Sequence, residues 1–188
     1  KLSFASALGV GVSADVEYLD MELSEKLAVS DVIARMNAKS PHGFAVLDGK
    51  YVDAKAAKLM AAANYAIYDL MGPAKKEATA ASVKTALQAF NTAQEVQYEK
   101  ISLKGKHKVR LINVKQHVIE PITGQLQDEK ITLRVGIYQT SEGAIKPSQV
   151  WEVLGNQFQL PIDTDMMLAR RIGIYHREEG HNYSLFEK

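Results

Sequence analysis

The sequence predicts an α+β protein, with helices mainly in the N-terminal half and an antiparallel sheet mainly in the C-terminal half. Three observations carry that expectation. Apolar residues recur at helical spacing from about residue 25 to residue 94. β-branched and aromatic residues dominate from Val96 onward. Ile131, Leu133, Val135 and Ile137 alternate with Thr132, Arg134, Gly136 and Tyr138, the pattern of a strand with one buried and one wet face. Helical and strand-forming runs segregated in this way favour α+β over a parallel βαβ repeat.

The elements follow in order. Val16 to Leu23 alternates with one phase slip among Asp15, Glu17, Asp20 and Glu22, which predicts a bulged edge strand with an acidic outer face. Ser24 is placed to cap a helix over 25–38, whose stripe is Val29, Val32, Ile33 and Met36. Phe44 to Val52 reads as a hairpin around Asp48-Gly49, a pair suited to a two-residue turn with positive φ. A second helix is expected from Asp53 to Met71, on the stripe Ala56, Leu59, Met60, Ala63, Ile67 and Leu70, stopped by Gly72-Pro73. A third runs over 75–94 with Val83, Leu87 and Phe90 inward. Short strands are expected at 96–98, 101–103 and 109–111, with Gly105 turning between the last two. Gly124 to Asp128 and Thr140 to Lys146 read as exposed loops. A short helix over 147–156 carries Trp151, and a final strand covers 172–177.

At 188 residues the chain divides into an apolar arm, residues 1–14, and a single domain, residues 15–188. Hydrophobic residues make up 46% and charged residues 24%, the balance of a chain that buries a core without staples. The net charge of +1 provides no global field toward nucleic acid or membrane, so electrostatic function must be local. No cysteine is present, which excludes thiol nucleophiles, disulfide frameworks and cysteine-ligated metals. No apolar run approaches the roughly 18 residues of a membrane span. The sequence starts at Lys1 rather than Met, and Leu2 to Ala14 carries no charge. Two readings of the arm compete: a signal remnant ending at Val12-Ser13-Ala14, or a segment buried on its own domain or on a partner.

Three groups of residues could carry function. Lys104, Lys106, Lys108, Arg110 and Lys115 form a basic stretch able to meet phosphate or an acidic partner. Without interleaved aromatics it reads first as a solvated hairpin whose lysines guard an edge. The arm residues Leu2, Phe4, Leu8 and Val10, with the acidic strip Asp15, Glu17, Asp20 and Glu22, form the expected subunit interface. His176, Glu179 and His181 bring metal-ligating types together, yet the five-residue histidine spacing broken by Gly180 fits no zinc motif. Gly9-Val10-Gly11 lacks the third glycine, the strand and the helix of a dinucleotide site, and no serine sits in G-x-S-x-G. Asp163 and Asp165 read as caps rather than as catalytic carboxylates.

The expectation is a non-enzymatic structural or assembly subunit, acting through protein–protein contacts and forming a homo-oligomer, without a cofactor. A virion component or a bacterial secretion or envelope machine is the expected setting. The alternatives are an anion- or nucleic-acid-binding module on residues 100–115 and a metal-dependent enzyme near His176 and His181.

Overall fold

A computed structural model describes residues 1–101, 109–139 and 145–187, except for the side chain of residue 101. In chain order the elements are β1 (Leu2–Phe4), β2 (Val12–Ala14), β3 (Leu19–Met21), α1 (Val29–Asn37), α2 (Leu59–Ala62), β4 (Tyr65–Pro73) and α3 (Ala80–Thr92). Then follow β5 (Gln97–Ile101), β6 (Val109–Asn113), β7 (Thr123–Gln127), β8 (Lys130–Tyr138), α4 (Pro147–Phe158), β9 (Leu168–Glu178) and β10 (His181–Ser184).

Strand β4 organises the main sheet, pairing antiparallel with β8 on one side and β9 on the other. The order is β10-β9-β4-β8-β7, with β2 added parallel to β9. With the β5–β6 ribbon inserted between α3 and β7, the chain order β4-α3-β7-β8-α4-β9 and the sheet order β9-β4-β8-β7 together make the split βαβ connectivity of ferredoxin-like domains. Strand alternation sends Ala66, Tyr68 and Leu70 to one face, beside Leu133, Val135, Ala169 and Ile174. Helices α3 and α4 close that face with Val83, Leu87, Phe90, Val150, Trp151 and Leu154, all buried.

The helices are fixed by local chemistry. Thr79 Oγ1 accepts from Ser82 N at 3.0 Å while Ser82 Oγ accepts from Thr79 N at 3.0 Å, so two orphan donors at the start of α3 are satisfied reciprocally. At the other end, Lys115 Nζ donates to Phe90 O at 3.2 Å and lies 4.6 Å from the Phe90 ring centroid. Pro147 opens α4, where its missing N–H costs nothing, and Gln159 closes it with φ 53°. Gly72 lets Trp151 close on the sheet: a Cβ there would stand 2.5 Å from the indole and 2.5 Å from Met166 O.

The structure overturns the expected segregation. Among the described residues helix accounts for 24% and strand for 33%; helix α4 lies in the C-terminal half, strands begin at Leu2, and the sheet is mixed because β2 runs parallel to β9. The largest correction is at 53–71, read as one helix. Only α2 is helical, and Tyr65 onward is the central strand. Its outward residues Tyr65, Ile67 and Met71 are themselves apolar, so the two-residue alternation was hidden beneath a helix-like stripe. Residues 44–52 form no hairpin; Asp48 Oδ1 accepts from Gly49 N at 2.7 Å instead. Helix α1 is entered from Ala28 rather than capped by Ser24. Gly124 to Gln127 is strand, not loop. The β7–β8 turn is Asp128-Glu129, with φ 48° and 58°. The expected turn at Gly105 and the loop residues 140–144 lie outside the described residues. No helix of the described chain is long and apolar enough to cross a membrane.

Candidate functional site

The N-terminal segment, residues 1–63, is attached to the sheet by charge and backbone pairing. Strands β1 and β3 pair antiparallel, Leu2 opposite Met21 and Phe4 opposite Leu19. The sequence Val12-Ser13-Ala14 lies along Ala169 to Arg171. Arg171 is 1% exposed and donates from Nε to Glu17 Oε1 at 2.8 Å, from Nη2 to Glu17 Oε2, and from Nη2 to Ser6 O at 3.1 Å. Burial pulls the Arg171 pKa down, and the Glu17 carboxylate with Tyr68 more than offsets it, so the guanidinium stays charged. Arg170 Nε donates to Asp15 Oδ1 at 2.6 Å, and Asp20 Oδ2 accepts from Leu59 N at 3.1 Å where α2 begins. Of the acidic strip, Asp15, Glu17 and Asp20 are thus engaged within the fold; Glu22 donates its backbone N–H to Lys1 O at 3.0 Å.

Beyond this latch the segment has almost no core. Ala5 and Ala63 are its only buried residues. Helix α1 carries Val29, Val32, Ile33 and Met36 on one stripe and buries none of them. A strap, residues 44–52, half-covers the stripe: Asn37 Oδ1 accepts from Val46 N at 2.7 Å and its Nδ2 donates to Val46 O at 3.0 Å. The Tyr51 hydroxyl donates to Leu27 O at 2.8 Å and accepts from Leu27 N at 3.0 Å. The strap itself turns apolar side chains to solvent: Leu47 is 76%, Val52 56% and Tyr51 50% exposed. Apolar groups gathered in this way without burial form an exposed apolar surface rather than a packed core.

The residues singled out in the sequence scatter. Leu2, Phe4, Leu8 and Val10 are exposed, although Leu2 to Phe4 belong to a strand paired within the chain. Lys104, Lys106 and Lys108 lie outside the described residues. Arg110 is exposed on β6 opposite Lys100, on a two-stranded ribbon that also exposes Val109 and Leu111. Lys115 does not join them: it closes the end of α3, and burial lowers its pKa. His176 faces Tyr183 across the β9–β10 pair, with Nδ1 2.9 Å from Ala62 O, while Glu179-Gly180 is the turn, with φ 48° and 83°. His181 Nδ1 lies 3.2 Å from Glu179 O. Among the described residues no three His, Asp or Glu side chains are grouped to hold a metal ion. Asp163 Oδ1 accepts from Asp165 N at 3.0 Å, a turn rather than a helix cap, since β9 follows. The latch arginine was missed in the sequence; its signal was the pair Arg170-Arg171 opposite an acidic run distant in the chain.

Fold and surface together define a split βαβ domain carrying an N-terminal segment that lacks its own core. The chain belongs to a bacterial family (DUF2344) described as "Uncharacterized protein conserved in bacteria", whose model matches residues 1–147 and therefore reaches as far as the start of α4. No curated protein and no solved structure matches the chain.

Proposed function

We propose that the protein is a non-catalytic assembly subunit that pairs with a second copy of itself through α1 and its strap. The observation that carries this reading is a helix with a full apolar stripe and no buried residue, next to exposed Leu47, Tyr51 and Val52. Charge favours self-pairing. Asp31 lies in the first turn of α1 and Arg35 in the last, four positions apart about the middle of the stripe. In an antiparallel two-fold pair each Asp31 meets the partner's end of opposite sign, the self-complementarity an isologous contact requires.

Light scattering on the size-fractionated chain, at low and high salt, tests it. The expected result is a discrete oligomer that the Ile33→Asp substitution reduces to a monomer, with the circular dichroism of the sheet retained. A monomer for the unaltered chain at every salt concentration overturns the reading.

A further inference from the structure

Helices α3 and α4 occupy one face of the main sheet; on the other, Leu168 and Met71 are exposed at one end while Tyr65, toward the opposite end, is buried. At the centre of this second face Ile67 stands between Gly136 on β8 and Gly173 on β9. Two tyrosines use the space those glycines leave. A Cβ on Gly136 would stand 1.8 Å from the Tyr65 hydroxyl, and one on Gly173 would stand 2.2 Å from the Tyr175 hydroxyl. Tyr138 adds a third ring, 6.4 Å from that of Tyr65. Tyr65 is already covered by the Arg177 guanidinium, 4.5 Å from its ring centroid. Tyr138 and Tyr175 remain part-exposed.

Charge on the same face has one dominant sign. Its strands present Lys130, Arg134, Arg170 and Arg177 against the single carboxylate Asp69. Asp69 takes Nε and Nη2 of Arg134 at 2.9 and 3.0 Å, while Asp15 and Glu120 reach Arg170 and Arg177 from outside these strands. The Arg134 and Arg170 side chains are 59% and 61% exposed. Exposed pairs of this kind are weak, so a phosphate can take the place of the carboxylate.

We infer that this open sheet face binds single-stranded nucleic acid, with Tyr138 and Tyr175 stacking on bases and Arg134 and Arg170 meeting phosphates. Aromatic platforms beside cations are what a strand with unpaired bases needs. A duplex hides its base faces within the stack and cannot use them. Gln125 and Thr132, which face each other across β7 and β8 on this side, add donors and acceptors for base edges. The site is separate from α1, so it stands or falls independently of self-association.

The test is fluorescence anisotropy of a short labelled oligouridylate, and of the matching oligothymidylate, titrated with the full chain from low to moderate salt. Binding is expected to weaken steeply as salt rises. Tyr175→Ala should lower the affinity roughly ten-fold, the loss of one stacked base. Tyr175→Phe should keep the affinity near that of the unaltered chain. Arg134→Gln should lower the affinity and flatten the salt dependence. Circular dichroism confirms folding, and Arg134→Gln keeps the test decisive if the alanine variant does not fold. No binding at low salt overturns the proposal. So does binding that ignores both the Tyr175 and Arg134 substitutions but is lost when Lys104, Lys106 and Lys108 become Ala, which assigns the binding to those lysines. An oligonucleotide-inert chain whose oligomeric mass changes with Tyr175→Ala makes the face a protein interface, and overturns it too.

Discussion

Residues 64–187 bury Leu70, Phe90, Leu133, Trp151 and Ile174 between a sheet and two helices, whereas residues 1–63 bury only Ala5 and Ala63. Residues 1–63 are the richer of the two in apolar residues, so composition does not explain why they lack a core. Connectivity does: the split βαβ core gives every inward side chain a facing layer, and α1 has only a strap. The first region is therefore held by the hydrophobic effect. The second is held by a buried ion pair, short strand pairings and side-chain-to-backbone bonds, and leaves its apolar side chains largely unburied.

The largest effect should come from the packed region. Trp151→Ala removes the indole over Gly72 and its bond to Asp163 O at 2.9 Å, and should cost about 3–5 kcal/mol in urea unfolding. A loss below about 1 kcal/mol would erase the contrast between the regions. Next is the latch. Glu17→Ala leaves the Arg171 guanidinium buried without its carboxylate, at a cost of about 3 kcal/mol. Limited proteolysis should then cut residues 1–63 first and spare the sheet; simultaneous loss of both would mean the regions unfold as one.

Smaller effects sharpen the same comparison. Burial raises the pKa values of Tyr65 and Tyr98 above 10.0; at Tyr65, Arg177 opposes this and Glu120 adds to it, and at Tyr98, Gln149 opposes while Glu152 adds. The unfolded chain releases these phenolic protons at lower pH than the folded one. Stability present below pH 10 is therefore lost as pH rises beyond it. Tyr65→Phe should make that alkaline decline shallower in thermal melts, and an unchanged decline would remove Tyr65 as a cause. Smallest of all, Leu47→Ala, on a side chain already 76% exposed, should change stability by no more than about 0.5 kcal/mol.

What could be read in the sequence tracks how much each element depends on its neighbours. Strand β8 was legible because its outward residues are polar or glycine, and α3 and α4 because their apolar stripes meet a layer. Strand β4 was not, since it is central and apolar on both faces, and its approach through Ala61, Ala62 and Ala63 mimics a helix. Asn64 was the overlooked break; its side chain bonds Arg177 N and O and Tyr138 Oη, locking the entry to the strand. The site was least legible. The acidic strip was seen, but its partners lie more than 150 positions away on β9. The pairing of Arg170 outward and Arg171 inward depends on a bulge opposite Ile67 and Tyr68.

The arrangement around β9 has a last consequence. Both β2 and β10 lie along its outer side, at Ala169–Arg171 and Tyr175–Glu178 respectively, so much of that border of the main sheet is already taken. The opposite border is β7, five residues that include Gly124 and two glutamines. The sheet therefore ends on two short strands, β10 with four residues and β7 with five, and short borders of this kind offer a neighbouring strand few backbone groups to pair with.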